Sequence, residues 1–578
     1  MRSQAGAWER ENDFMTELSI DYRNISRRLT ERAQQAPDQI AIWEPVKRKR
    51  SGASGWNRIT FAELDRQSDQ LAAGLRAIGA GPGTKLVLFV PFGIRMISLT
   101  FALFKAGVTV ILIDPGMGRT NIFKCLNEVR PDGFVAVPLV HFIRWFSGPI
   151  VRKAPLNVSV GSWLPGVTTT YEKLLQSDFN GFRPENTKAT DSAAIIFTSG
   201  STGPPKGVHY EHGMFDAQVE LIQERYSIEP GEVDLPGFPL FGLFNAAMGV
   251  TTVIPDMDPT RPAQVDPHKI LSAIDEHQVT QAFGSPAFWN RVGRHCEEHH
   301  ITLPTLKRAL SAGGPVPGHV LKRMNQILTR PEADLFTPYG ATESLPVSSI
   351  GASEILNTTA PMTQRGAGTC VGTVFNQMSV KIIPMSDHPI ASLDEVAELP
   401  AGEIGEIIVS GPSVTREYYL RPEATALAKI PDENRFWHRL GDVGYFDAEG
   451  RLWFCGRKAH VVVTPTETLY SVCCEAIFNQ HPAIYRSALV GIGTKGNQRP
   501  AIVAEPEAGQ FPDSSLGQEK LKAELLELGQ QNPMTANIRD ILLHPSLPVD
   551  TRHNVKINRE ALAVWAEPRL KVCSTFAK

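Results

Sequence analysis

The sequence predicts an α/β protein. A large N-terminal domain, residues 1–457, has mostly parallel sheets flanked by helices, and a small α+β domain, residues 458–578, follows. Three observations carry this. Short apolar runs alternate with amphipathic segments through the first half of the chain, the pattern of strands covered on both faces by helices. With 578 residues, 42% of them hydrophobic and 21% charged, the chain can build more than one core. After Gly456 the strand and helix alternation starts again in a stretch of ordinary small-domain size.

The elements follow in order. Thr60 and Glu63 have capping-box spacing, Leu64, Leu71, Leu75 and Ile78 fall on one helical face, and Gly79 closes the helix. Leu86 to Val90 reads as a buried strand, Ile97 to Lys105 as a helix and Thr109 to Ile113 as a strand. Ala193 to Phe197 is a further strand, running into a Gly/Ser/Thr loop. Gly405 to Val409 and Val443 to Phe446 are strands, the latter turning at Asp447–Gly450 into Arg451 to Cys455 as a hairpin. The stretch Lys85 to Gly116 is broken by Pro91, Arg95 and Lys105, too often for the ~20 apolar residues of a membrane span.

Composition excludes several classes. A formal net charge of −3 suggests neither a nucleic-acid partner nor a general attraction to anionic membranes. Seven scattered cysteines without a CxxC pair suit a reducing cytoplasm, and Met1 to Asp13 lacks the apolar run of a signal peptide. The basic run Lys47 to Arg50 reads as a solvated loop. His295, His299 and His300, among Glu297, Glu298, Arg291 and Arg294, read as a solvated helix end and not a metal site.

Three motifs carry chemistry. In Thr198-Ser199-Gly200-Ser201-Thr202-Gly203-Pro204-Pro205-Lys206-Gly207, glycines turn backbone N–H groups toward an anion, hydroxyls add donors and Lys206 adds charge. These are the parts of a triphosphate cradle; a plain linker would need neither the lysine nor two stiffening prolines. In Tyr339-Gly340-Ala341-Thr342-Glu343, a hydroxyl beside a carboxylate can hold a phosphate oxygen and its Mg²⁺, although by itself it also fits a turn before a helix. In Gly441-Asp442 and Gly456-Arg457, an aspartate can accept ribose hydroxyls and an arginine can reach ribose and phosphate. Asp442 alone could equally be a turn residue.

In this order and spacing the motifs resemble the adenylate-forming superfamily, which includes acyl-CoA synthetases, nonribosomal peptide adenylation domains and luciferases. The resemblance runs from about Ile25 to Trp565. It implies ATP and Mg²⁺, with Thr198, Ser199, Gly200, Ser201, Thr202, Gly203 and Lys206 around the β- and γ-phosphates. It places Ser311 to Pro315, with Gly313 and Gly314, along the adenine, and Tyr339 and Gly340 against it. Thr342 would meet the α-phosphate, Glu343 the metal, and Asp442 and Arg457 the ribose. Leu547 to Ile557 resembles the family's last motif, with Lys556 as the catalytic lysine. Phe241, Gly242, Phe283 and Gly284 would border the acyl pocket, and Lys458 and Ala459 would form the hinge of a mobile C-terminal domain.

The sequence departs from thioester-forming relatives at Ala459, at Thr466 where a tunnel glycine is expected, and at Thr468 where an arginine is expected. A side chain where a thin thiol arm must pass is an obstruction. Gly242 stands in place of a histidine and either widens the acyl site or serves packing. Phe238, Phe241, Phe244, Phe283, Phe288 and Trp289 either line an apolar tunnel or fill the core. With Arg552-His553-Asn554, Gly456 to His460 and Leu112 to Arg119, these departures resemble the β-lactone synthetases of bacterial long-chain olefin biosynthesis. That branch implies a cytoplasmic enzyme that adenylates a 2-alkyl-3-hydroxy fatty acid and lets its 3-hydroxyl close the lactone. It also implies association with neighbouring pathway enzymes. His460 is the candidate base for the hydroxyl. A long-chain fatty acyl-CoA synthetase and a non-catalytic acyl or nucleotide sensor are the alternatives.

Overall fold

The computed structural model describes residues 23–46, 55–198, 205–433, 435–549 and 557–575, with backbone alone at Thr198 and 571–575. The basic run at 47–50 lies outside them. The chain forms two compact units: Met1–Asp256 with Ala273–Thr280 and Pro412–Thr425, and Met257–Ser272 with Gln281–Gly411 and Ala426–Lys578.

The first unit holds a seven-stranded sheet. Its order is Thr169–Thr170, Leu156–Ser159, Gly133–Ala136, Lys85–Phe89, Thr109–Ile113, Ser192–Thr198 and Lys206–Glu211. Every neighbouring pair is parallel except the last. The central strands are apolar on both faces, as parallel strands must be when helices cover them. Val87, Ile111 and Ile195 pack in one core with Cys125 and Leu126 of the Arg119–Val129 helix. Gly133 is required by this closeness: a Cβ there would lie 1.5 Å from the carbonyl oxygen of Leu156.

The capping box forms as the sequence predicts. Thr60 Oγ1 accepts from Glu63 N at 3.2 Å, Glu63 Oε2 accepts from Thr60 N at 2.9 Å, and the helix runs Phe61–Ala77. Lys105, on the Ile94–Ala106 helix, is fully enclosed. Its ammonium lies 2.5 Å from Asp65 and 2.6 Å from Asp69 of the neighbouring helix, so the apolar segment carries its charge paired. Four further strands of this unit pair in the order Val233–Pro236, Thr251–Val253, Ile40–Pro45 and Trp56–Thr60.

In the second unit Gln281–Phe283, Arg308–Leu310 and Asp334–Ala341 are parallel. The sheet then continues antiparallel through Ser344–Gly351, Thr369–Val374, Leu452–Arg457, Arg435–Phe446, Gly405–Ser410 and Ser379–Ile383. The expected hairpin closes with Phe446 opposite Leu452, its turn held by Asp447 Oδ1 accepting from Arg451 N at 2.8 Å. Past Arg457 lies a separate three-stranded sheet of Ile484–Ile492, Arg499–Pro506 and Asp540–Leu543. The strand alternation splits its two faces. Leu489 and Ile502 pack against Phe478 and Leu525, while Ala488, Val490 and Val503 pack against Leu562, Ala566 and Leu570. The six cysteines with described side chains are buried and unbridged. Among the described helices none is long and apolar enough to cross a membrane.

Candidate active site

The glycine-rich segment falls, in sequence, between the two strands of an antiparallel pair. Ser192–Thr198 brings the chain in and Lys206–Glu211 takes it out, with Thr198 opposite Lys206 and Phe197 opposite Gly207. Ser199, Gly200, Ser201, Thr202 and Gly203, and the side chain of Thr198, lie outside the described residues. Lys206 stands at the mouth of the loop, its ammonium 4.7 Å from the centre of the Tyr418 ring. Tyr419 N donates to Gly207 O at 2.8 Å, which ties the exit strand to the Tyr418 segment.

In the second unit the parallel strands Arg308–Leu310 and Asp334–Ala341 end side by side. Ser311 N donates to Phe336 O at 2.9 Å, so Ser311, Ala312, Gly313, Gly314 and Pro315 leave the sheet beside Tyr339. Open α/β sheets bind ligands at such carboxyl ends. Gly313 turns with φ of 95°. The Tyr339 motif is the tip of a hairpin: Ala341 pairs with Ser344, leaving Thr342 and Glu343 as the two turn residues. Gly340 lets the strands close, because a Cβ there would lie 2.6 Å from Ser344 O.

Asp442 and Arg457 are directly opposite on Arg435–Phe446 and Leu452–Arg457, so their contact follows from register. Arg457 NH1 lies 2.8 Å from Asp442 Oδ1, and the Tyr339 hydroxyl donates to Asp442 Oδ2 at 2.6 Å. Burial pushes the Asp442 carboxyl up against the pull of Arg457. Burial and Asp442 together hold the Tyr339 phenol well above its ordinary range. Glu343 is close enough to act on the charges of Asp442, Arg457 and Lys429. Tyr339, Glu343, Asp442 and Arg457, far apart in sequence, thus form one cluster.

Lys429 is the member that sequence reasoning missed. It opens the short strand Lys429–Asp432, is buried, and has its ammonium 5.3 Å from the centre of the Phe436 ring. Burial pushes it down to about 7, with Glu343 opposing. A lysine opening a short apolar strand was its only signal. Ser311 Oγ and Ser344 Oγ are buried and have no hydrogen-bond partner among the described residues. An orphaned buried hydroxyl costs ~1–3 kcal/mol, which a polar ligand in the cluster relieves. The residues therefore fit a nucleotide. A carboxylate at a turn also fits Mg²⁺, which takes one or two carboxylates and completes its shell with water and phosphate.

Lys458 and Ala459, the expected hinge, form a single 3₁₀ turn with His460. Lys458 Nζ reaches Glu406 Oε1 at 3.0 Å and Ser386 O at 2.5 Å, and Glu406 also binds Arg439 at 2.7 Å. His460 is nearly enclosed, 3.4 Å from Glu560; burial, with Arg559 adding to it, holds its imidazole below the ordinary range and neutral. Thr464 Oγ1 donates to Glu467 O at 3.0 Å and accepts from Thr466 N at 3.2 Å, closing a turn that leaves Thr466 exposed. Lys556 lies outside the described residues. The ends of its segment are clamped: Val549 bridges Ile557, and Asn558 N donates to Pro548 O at 2.8 Å.

The acyl candidates are split between the units. In the first, Phe241 and Gly242 lie on the Pro239–Met248 helix, and a Cβ on Gly242 would fall 2.4 Å from Phe92 Cζ, so the Phe92 ring already uses the room that the glycine leaves. In the second, Phe283, Phe288 and Trp289 are buried, and a Cβ on Gly284 would fall 2.2 Å from Phe288 Cδ1.

A sheet end carrying a tyrosine–aspartate–arginine cluster fits a nucleotide. Residues 29–419 match the AMP-binding enzyme family, and the chain belongs to it. It is 43% identical over 566 residues to a protein of Xanthomonas campestris pv. campestris named olefin beta-lactone synthetase, covering 96% of this chain and 99% of that one. It is 44% identical over 559 residues to the protein of that name from Stenotrophomonas maltophilia, covering 95% and 99%. Among solved structures it resembles an amide bond synthetase from Marinactinospora thermotolerans, with a TM-score of 0.75 at 21% identity over 94% of this chain and 99% of that one.

Proposed function

We propose that this chain converts a 2-alkyl-3-hydroxy fatty acid, with ATP, into a β-lactone, AMP and pyrophosphate. The observation that carries the reading is the near full-length identity to two proteins named olefin beta-lactone synthetase. The carboxylate oxygen of the acid attacks the α-phosphorus of ATP, pyrophosphate leaves, and an acyl-adenylate forms. The 3-hydroxyl oxygen then attacks the acyl carbon, AMP leaves, and the hydroxyl proton passes to a base. The nucleophile is already tethered, so no second molecule has to be captured.

The roles are those that the family resemblance implies for these residues. Asp442 takes the ribose hydroxyls and Arg457 holds its charge in place. Tyr339 and the Ser311–Pro315 segment flank the base. Thr342 meets the α-phosphate, and Lys206 with the Thr198–Gly203 loop meets the β- and γ-phosphates. Glu343 would hold Mg²⁺, which when bound neutralises phosphate charge. Lys556 supplies positive charge between carboxylate and α-phosphate as charge develops there. Residues 458–578, with two cores of their own, form a small domain that changes pose between the half-reactions, with Lys458 and Ala459 as its hinge. His460, held neutral, is the base in the second pose; full-rate lactone formation by His460→Ala would remove that role. The setting is cytoplasmic, with a β-lactone decarboxylase as a neighbouring partner.

The test is product analysis by NMR after incubation with Mg²⁺-ATP and the hydroxy acid, with and without CoA. A β-lactone and AMP in amounts unchanged by CoA are expected. An acyl-CoA formed only with CoA would overturn the reading and make the chain a ligase with an unusual tunnel at Thr466 and Thr468.

A further inference from the structure

The Pro138–Trp145 helix is built inside out. His141 and Arg144 face the protein: the imidazole Nε2 lies 3.0 Å from Val158 O, and Arg144, 3% exposed, donates to Gly166 O at 3.1 Å with its guanidinium 5.6 Å from the centre of the Phe134 ring. Leu139, Phe142, Ile143 and Phe146, spaced i, i+3, i+4 and i+7, face outward; Leu139 is 65% exposed and Phe146 78%. Ile150 and Trp163 are exposed as well. Between this helix and Arg119–Val129 lies a cavity of ≈ 440 Å³, with Arg119, Phe123, Phe142, Ile143 and Phe146 on its walls. Exposed apolar surface contiguous on this scale marks an interaction site in soluble proteins.

The charges say what kind. Residues 133–171 contain no Asp or Glu, while Arg119, Lys124, Arg152 and Lys153 are exposed around the patch. The acid of the adjoining helix, Glu128, is already neutralised by Arg421 at 2.6 Å. Aromatic and aliphatic side chains within a one-signed cationic rim match the boundary between lipid headgroups and acyl chains.

We propose that this face docks on anionic phospholipid bilayers. Leu139, Phe142 and Phe146 enter the headgroup–acyl boundary, and the four cations meet lipid phosphates. The inference stands apart from which acyl product the chain makes.

The test is flotation of the full chain with phosphatidylcholine vesicles, with and without phosphatidylglycerol. Wild type is expected to float with the anionic vesicles and less with the neutral ones, binding falling as salt rises. Leu139→Ser, Phe142→Ser and Phe146→Ser together should lower the bound fraction ~10-fold or more. Arg119→Glu with Arg152→Glu should remove the preference for anionic lipid. Both variants alter exposed side chains and should keep wild-type melting and pyrophosphate release with a short, soluble acid. Wild type failing to float, or the triple variant floating equally, would overturn the proposal. A triple variant that only lowers the oligomeric state in light scattering would make the face a subunit interface instead.

Discussion

Replacing Asp442 by asparagine changes one atom in the nucleotide cluster. The carboxylate accepts from the Tyr339 hydroxyl at 2.6 Å and pairs with Arg457 at 2.8 Å, and it is 4% exposed. The amide keeps the shape and can still bond Tyr339, whose hydroxyl turns to accept. The ion pair is lost. Removing one partner of a buried pair costs ~3–5 kcal/mol. The Arg457 side chain is 31% exposed, so water softens the loss to about 2 kcal/mol of stability. Toward ATP, two ribose hydroxyls would bond a neutral oxygen instead of a charged one, at about 1 kcal/mol each. Together that is ~30-fold in KM for ATP. The chemistry occurs at the α-phosphorus, so kcat at saturating ATP should change by less than ~3-fold. The assay is pyrophosphate release against ATP concentration, with thermal melting of the same preparations. An unchanged KM in a normally folded variant would refute Asp442 as the ribose contact.

Lys556→Ala should lower pyrophosphate release by ~10³-fold or more while ATP affinity by calorimetry stays within ~3-fold, since the charge acts in the transition state. Lys105→Met should destabilise the chain by about 3 kcal/mol in urea unfolding, because it strands the Asp65 and Asp69 carboxylates; adding Asp65→Asn and Asp69→Asn should restore most of that. His212 is buried and pushed down to about 4 from 6.5, mainly by desolvation. Between those values the unfolded chain binds a proton that the folded chain refuses. The neutral ring's share of stability is therefore full above pH 6.5 and is lost as pH falls toward 4. Urea midpoints at pH 7 and 5 should show wild type losing ~2 kcal/mol more than His212→Gln.

Local chemistry made much of the fold legible. Thr60 and Glu63 announce a helix start because both halves of the box are three residues apart, and Thr109 to Ile113 announces a strand because nothing polar interrupts it. The Tyr339 turn was legible because it is a contiguous run. The pairing of Tyr339 with Asp442 was not, since it depends on which strands become neighbours across 103 residues. Lys429 was hidden for the same reason: only the Lys429–His438 register buries it. The antiparallel half of the second unit showed one hairpin in sequence, because pairings such as that of Thr369–Val374 with Leu452–Arg457 close long loops. The Pro138–Trp145 helix hides its orientation, as apolar residues on most of its circumference do not say which side the protein takes. The net charge of −3 likewise conceals a stretch free of acids.

Glu406 carries two cations, and they differ in kind. Arg439 lies on the adjoining strand, 2% exposed, and also donates to His388 O at 2.7 Å and Leu427 O at 3.0 Å. Lys458 reaches the same carboxylate from the first residue past Arg457. A carboxylate with a single partner would be stranded whenever that partner left. In the proposed hinge motion Lys458 would leave for water while Arg439 stayed. The proposed hinge would then have a detent: a preferred resting place, whose release leaves Glu406 still paired.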